Sequence, residues 1–375
     1  MAGYGKGGSS LRVLLVSGSF PPLRCGVGDY TASLARSLAV MAGNKVAVLT
    51  SDSSSEADPE PLLDVFRIMR SWTLAETHRV AGVIRRWSPD VVHVQYPTTG
   101  YRNRFLPWVV PLVAFSMGKT VVQTWHEAYS RRQVLRALLA ASVPSAIVVV
   151  RPQYQDLLLP VLRHALRNRK FTYVRNASGF HVACLTEGER KTLRNGLLRG
   201  QRSLVLFVGF VHPQKGLEDL FSIADPSRDH IVIVGEAHGD GVYERMIQQR
   251  ATDEHWSGKV TFKGFLPVPE VSELLSIADA VVLPFRDGGG EWNTSIHGAV
   301  LQGTFVLTTS RTRSGYDATQ NVYYANVNDT RDMKSALDRY AGRRRIPDPS
   351  IDSDPWRQIA QDHESLYQAR MAGEG

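Results

Sequence analysis

The feature that most constrains this chain is a rhythm that runs through it twice. Short β-branched runs at Arg12–Val16, Lys45–Leu49, Val91–Val94, Thr120–Thr124 and Ala146–Val150 alternate with turn residues and stretches of helical period. Strands that alternate with helices bury both of their faces in a parallel sheet with helices packed on it. The rhythm restarts at Ser203–Val208 and continues through His230–Val234, Lys259–Phe262, Ala280–Leu283 and Thr304–Thr308. An α/β chain with two doubly wound sheets facing a cleft is therefore expected, with ligands at the carboxyl ends of the strands. Turn-rich Phe171–Ser178 is read as the hinge between domains 1–178 and 179–350. Arg343–Ser350 carries two prolines and breaks any helix; beyond it Trp356, Ile359, Ala360, His363 and Tyr367 recur at helical spacing, so a separate last helix is expected over 351–375. Ser51–Glu60 reads as an exposed loop.

Composition narrows the classes. At 375 residues the chain is too long for one small module, and 43% hydrophobic with 21% charged residues excludes a disordered chain or a membrane bundle. A net charge of +8 points to an anionic partner: a phosphate-bearing substrate, a lipid surface or nucleic acid. Cys25 and Cys184 lie far apart and in no ligand spacing, so neither a disulfide framework nor a metal site is expected, and a reducing cytoplasm fits. The Gly- and Ser-rich lead Met1–Ser10 is followed by an apolar run, Leu11–Val16, too short for a signal-peptide core. Trp108–Met117 is the longest candidate span, and it is short and interrupted by Pro111.

The basic surplus is concentrated. Between Arg131 and Arg175 stand nine basic residues against Asp156 alone. Arg131–Ala141 and Leu157–Arg169 alternate Leu with Arg at helical spacing, which suits either a helix lying on anionic lipid at the inner membrane face or a solvated basic face. No aromatic-basic interleaving accompanies the charge, so no nucleic-acid partner is expected.

Three loops carry candidate chemistry. After the first strand, Gly26, Val27 and Gly28 open an amphipathic helix marked by Tyr30, Leu34, Ala35 and Leu38; this is a tight turn or a loop whose amides meet an anion. A dinucleotide fingerprint is incomplete because Thr31 stands where its third glycine belongs, and Gly118-Lys119-Thr120 fails as a P-loop because Val113 occupies the leading glycine position. In the second half, Phe207–Leu220 is a strand end, a loop carrying Lys215-Gly216 and a helix start. An ammonium there suits a leaving diphosphate, which gains negative charge as its bond breaks. Pro284–Gly298 is again a strand end, a Gly-rich loop and a helix capped by Asn293 or Thr294; it is a flexible turn or a phosphate cradle.

In order, these pieces resemble the GT-B glycosyltransferases of family 4, which move a sugar from a nucleotide-sugar to an acceptor with retention of configuration. The resemblance spans nearly the whole chain. It rests on Phe20-Pro-Pro with Gly26-Val-Gly-Asp-Tyr, Pro89-Asp-Val-Val-His-Val-Gln-Tyr96, Thr124-Trp-His126, Asn176-Ala-Ser, Val208-Gly209 with Lys215-Gly216, Val234-Gly-Glu236, Gly264-Phe-Leu266, Ile277–Phe285 and the Trp356 helix. It implies two Rossmann-like domains, the first for the acceptor and the second for the donor, with the last helix crossing back to the first. It implies that Lys215 and the amides of Thr294, Ser295 and Ile296 hold the donor diphosphate. Gly235, Phe265 and Leu266 border the base, and Gly26 to Gly28 close on the phosphate. By the same resemblance His126 is the histidine expected to touch the transferring sugar, while Gln95 and Tyr96 are candidates for acceptor contact. The resemblance further implies a UDP-, GDP- or other nucleotide-diphosphate sugar as donor, no obligatory metal or other cofactor, and a glycan, a lipid-linked saccharide or a small molecule as acceptor.

Two positions depart from the family pattern. Phe210 stands where many relatives carry an Arg, and Gly298 where they carry the second of two glutamates, the one that holds the ribose. The first glutamate falls at Gly290, so Glu291 and Asp287 are the candidate substitutes, and Arg286 and Arg313 the candidate replacement cations. These departures keep open a non-catalytic carbohydrate-binding or partner subunit of the same fold. A nucleotide-sugar epimerase also uses two such domains, but needs cleft carboxylates that are scarce here.

Overall fold

A computed structural model describes residues 10–41, 43–52, 58–236, 241–290, 292–346 and 354–373. The lead before Ser10, the middle of the Ser51–Glu60 loop, the proline segment after Ile346 and Glu291 lie outside the described residues. The chain divides into two compact units, residues 1–176 with 354–375, and residues 177–353.

The first unit runs β1 (Arg12–Val16), α1 (Gly26–Val40), β2 (Lys45–Ser51), β3 (Leu63–Met69), α2 (Thr77–Trp87), β4 (Val91–Tyr96), α3 (Leu106–Ser116), β5 (Thr120–Trp125), α4 (Val134–Ser142), β6 (Ala146–Val149), α5 (Tyr154–Leu157), α6 (Pro160–Ala165) and β7 (Phe171–Tyr173). Its seven strands are ordered β3-β2-β1-β4-β5-β6-β7 and all pair in parallel. The order reverses between β1 and β4, the switch point where open α/β sheets place their ligands. The sheet is wider than the sequence suggests at both edges. β3 escapes a periodicity search because Asp64 and Arg67 interrupt its apolar run, and the expected hinge begins with β7, whose Phe171 packs edge to face on Trp125 with centroids 5.9 Å apart.

The second unit runs α7 (Glu187–Leu198), β8 (Ser203–Val208), α8 (Leu217–Ile223), β9 (Asp229–Val234), α9 (Val242–Ala251), β10 (Val260–Gly264), α10 (Val268–Ile277), β11 (Ala280–Leu283), α11 (Thr294–Leu301), β12 (Val306–Ser310), β13 (Gly315–Asp317), β14 (Val322–Asn326) and α12 (Thr330–Tyr340). Its sheet order, β10-β9-β8-β11-β12-β14-β13, repeats the winding of the first over five strands; beyond them β14 lies inside β13, which alone pairs antiparallel. Both units are Rossmann-like, and β8, β9, β11 and β12 are buried along their whole length.

The last helix, α13 (Pro355–Met371), belongs to the first unit and packs along α1. Its helical stripe is the one the spacing predicts: Trp356, Ile359, Ala360, His363 and Tyr367 are all buried. Tyr30 of α1 meets Trp356 edge to face at 5.1 Å, and Asn44 Nδ2 donates to Glu364 at 2.7 Å.

Candidate active site

In the second unit, β8 ends at Val208 and the chain turns through Gly209 and Phe210 into a single turn of 3-10 helix over Pro213–Lys215. Gly216 follows with φ +64°, and a Cβ there would collide with the carbonyl oxygen of Pro284, so only glycine lets this loop close on its neighbour. The two loops are knitted by backbone, Arg286 N donating to Gln214 O at 3.0 Å. Lys215 is half-buried, its Nζ 4.7 Å from the centre of the Phe285 ring. That face is electron-rich and fixes the ammonium by cation–π attraction without neutralising it.

Arg286 does not serve as a spare cation. Its guanidinium pairs with Glu218 at 2.7 Å and Asp219 at 2.8 Å, both in the first turn of α8, and donates to Asn328 Oδ1 at 2.8 Å. Burial pushes Glu218 up, but hydrogen bonds from Tyr243 and Arg286 outweigh it and hold the carboxyl below its usual range. Arg286 thus staples the β11 loop to α8 across the base of the Lys215 turn. Arg313 lies over Tyr324, 5.5 Å from the ring centre.

The Gly288–Gly290 run is packed rather than loose. All three residues are buried; Gly289 N donates to Thr309 O at 2.7 Å, and a Cβ on Gly289 or Gly290 would strike Phe285 or Trp292 respectively. Asn293 occupies the N-cap position of α11, yet its Oδ1 accepts from Gly290 N at 2.9 Å instead of from the helix. The amides of Thr294 and Ser295 consequently have no acceptor among the described residues, while Ile296 N donates to Asn293 O at 3.1 Å. Asp287 is exposed and pairs with Arg311 at 3.6 Å. Gly235 sits against the Gly209 carbonyl, and beside it Phe265 is exposed and Leu266 half-buried. Gly298 lies beneath the ring of Phe180, which fills the space a side chain would need.

In the first unit, α1 begins at Gly26 with Cys25 as its N-cap and no side-chain capping bond. A Cβ on Gly26 would meet nothing within 4 Å, whereas one on Gly28 would come within 3.0 Å of Ser19 O. His126 follows β5 directly, is 6% exposed, and donates its backbone N–H to Tyr96 O at 2.7 Å. Its Nε2 lies 2.9 Å from Gln95 Oε1, and its ring stands edge to face with Tyr30 at 4.6 Å. Burial, helped by His363 and Arg151, lowers its pKa to about 3 and keeps the imidazole neutral.

Gln95 and Tyr96, expected at a strand exit, are still inside the sheet because β4 runs two residues further than the pattern suggests. Both are fully buried. The Tyr96 hydroxyl donates to Pro107 O at 2.6 Å, and Gln95 bridges His126 and His93. Sequence reasoning did not give the contacts that support the site: Phe285 under Lys215, the Arg286 staple, Phe180 on Gly298, and His93, Thr124 and Tyr367 behind Gln95. A signal for the last group was present, since His93 and Gln95 on β4, and Thr124 near the end of β5 with His126 just past it, are polar i, i+2 pairs in otherwise apolar runs. Among the described residues no group of three His, Cys, Asp or Glu side chains is placed to hold a metal ion.

Comparison with known proteins decides the family. Residues 25–195 match the model described as Glycosyltransferase Family 4, and residues 189–314 the one described as Glycosyl transferases group 1. The chain belongs to the family 4 glycosyltransferases of the GT-B fold. No curated protein matches the sequence. Among solved structures, this glycosyltransferase is similar to the catalytic domain of starch synthase IV from Arabidopsis thaliana bound to ADP and acarbose, with a TM-score of 0.69, 14% identity, and 97% of this chain and 100% of that chain covered. It is similar to HepE of Anabaena in complex with UDP-glucose, with a TM-score of 0.68, 15% identity, and coverage of 97% and 98%. It is similar as well to sucrose-phosphate synthase from Thermosynechococcus elongatus, with a TM-score of 0.67, 16% identity, and coverage of 96% and 94%.

Proposed function

We propose that this glycosyltransferase uses a nucleotide-diphosphate sugar and transfers its sugar with retention of configuration to a glycan or lipid-linked acceptor. The observation that carries the reading is Lys215, held over Phe285 by a glycine-dependent turn in the unit that matches the group 1 model. Solved structures of similar proteins in complex with UDP-glucose, or with ADP and acarbose, support the donor class.

In this reading the bond from the anomeric carbon to the diphosphate oxygen breaks, and the acceptor oxygen bonds to that carbon from the same face. The acceptor proton passes to the leaving diphosphate oxygen, so no separate base is needed. Lys215 and the amides of Thr294 and Ser295 stabilise the charge that develops on the diphosphate. Arg286 positions the loops, and with Phe210 in place of a second cation Lys215 carries more of the charge. In the first unit, the family resemblance assigns His126 to the transferring sugar and the α1 amides at Gly26 to Gly28 to the phosphate.

Lys215→Ala is expected to lower kcat/KM by about 2–4 kcal/mol of transition-state stabilisation, roughly 30- to 1000-fold. Transfer assayed with a panel of nucleotide-sugars, with the product anomer read by NMR, tests both parts. An unchanged rate removes Lys215 from the chemistry, and an inverted product removes the retaining mechanism.

The acceptor reading includes peripheral contact with an anionic membrane. Leu135 on α4 is 80% exposed with Arg131 and Arg132 just before it, Val161 is exposed with Arg163 and Arg167 just after it, and Leu112 and Phe115 are exposed too. Co-flotation with phosphatidylglycerol vesicles but not with neutral ones is expected; no flotation in either case rejects the membrane part.

A further inference from the structure

A file of polar side chains runs through the core of the first unit behind His126. Gln95 presents Oε1 to His126 Nε2 at 2.9 Å and Nε2 to His93 Nε2 at 3.2 Å. Thr124 Oγ1 also faces His93 Nε2, at 2.7 Å, and the Tyr367 hydroxyl on α13 faces His93 Nδ1 at 2.7 Å. His363 stacks on His93 at 5.5 Å and binds Ile359 O through Nδ1 at 2.8 Å. Every one of these side chains except His126 is 2% exposed or less.

We propose that Gln95 is a positioning residue that holds His126 in its Nε2–H tautomer, leaving Nδ1 as the acceptor for a hydroxyl of the sugar being transferred. The proposal rests on the reading of His126 as the residue that meets that sugar.

The argument is one of donors and acceptors. A buried amide is costly unless both ends are bonded, and Gln95 bonds at both. Its carbonyl oxygen accepts, so the proton it faces is carried by His126 Nε2. Its amide nitrogen donates, so His93 Nε2 is an acceptor, shared with the Thr124 hydroxyl that donates to it at 2.7 Å, and the His93 proton sits on Nδ1, donated to Tyr367. The register of the sheet makes the alignment possible, pairing Gln95 with Thr124 across β4 and β5. Tyr30 then fixes the plane of the His126 ring while Gln95 fixes its rotation. Nδ1 of His126 has no partner among the described residues, and the ring keeps a small exposed surface. A residue meant only to fill the core would not need an amide here; a Leu or Met would bury as much apolar area and leave the imidazole free to choose its tautomer.

Long-range proton–nitrogen NMR of the histidine side chains in the full chain tests this, with the His126 signal assigned from its loss in His126→Gln. The wild type is expected to show His126 with the proton on Nε2. Gln95→Glu keeps an oxygen facing Nε2 and should keep that signature; Gln95→Met should turn it into a mixture of tautomers, with kcat falling on the order of tenfold and donor KM within about twofold. Gln95→Glu should recover part of the lost kcat. A wild-type His126 protonated on Nδ1 overturns the proposal whether or not Gln95→Met folds, and so does a Gln95→Met spectrum unchanged from wild type. If Gln95→Met shifts the tautomer but leaves kcat intact, Gln95 is shown to set the ring, and it is the assignment of His126 to the sugar that fails.

Discussion

A Cβ at position 298 would strike the ring of Phe180, and this one contact accounts for a departure that is visible but unexplained in the sequence. The glutamate that relatives place here has no room, because Phe180, from the segment preceding α7, occupies the space. Gly298→Ala is expected to destabilise the second unit by about 1–3 kcal/mol through overpacking, and Phe180→Ala to absorb most of that cost in the double variant. Denaturant unfolding of the two single variants and the double variant measures it, and additive effects would mean the ring does not fill the site. The missing glutamate could be read from the sequence, whereas its replacement could not, since Phe180 lies in a turn-rich stretch with no periodicity to reveal its direction. The place of Lys215 between a strand and a helix was legible; the Phe285 ring beneath it was not, because the contact joins two loops remote in the chain.

At the scale of elements, most strands lie where the β-branched runs stand, with ends shifted by a residue or two. The exceptions have physical causes. β3 and β13 are edge strands with polar interruptions, and Leu157–Arg169 breaks at Leu159 before Pro160 into the short α5 and α6 instead of one basic amphipathic helix. The buried file linking β4, β5 and α13 has a consequence for stability. Burial lowers the pKa of His93 well below its usual value, that of His126 to about 3 and that of His363 to about 4. Unfolded, each histidine takes up a proton as the pH falls through about 6.5. The unfolded state therefore binds more protons between about pH 6.5 and about pH 4, and stability is lost as the pH falls across that window, by up to about 1.4 kcal/mol per histidine per pH unit. Urea midpoints measured by tryptophan fluorescence from about pH 7 to about pH 5 should fall accordingly, and a flat profile would contradict neutral burial of all three.

For the whole molecule, the doubled rhythm of strands and helices was enough to read two Rossmann-like units and the last helix, because both follow from hydrophobic period and chain length. The order of short motifs was enough to read the family. What the sequence did not show is how the chain compensates for its departures: Arg286, a candidate replacement cation, is a staple, and the glycine run, read as a flexible turn or a phosphate cradle, is packed solid. With Phe210 and Gly298 where many relatives carry an Arg and a Glu, the proposed function assigns the donor diphosphate largely to Lys215 and the α11 amides. The most direct measurement is binding of UDP-, GDP-, ADP- and TDP-sugars to wild type and Lys215→Ala, read by thermal shift and calorimetry. A ligand at about 100 times its Kd adds roughly 2.7 kcal/mol to the stability of the unit that binds it. One nucleotide class should raise the wild-type melting temperature by several degrees and fail to do so in Lys215→Ala. Equal shifts in both proteins, or none with any nucleotide-sugar, would contradict a donor site built on Lys215, and the latter would leave a carbohydrate-binding or partner role as the better reading.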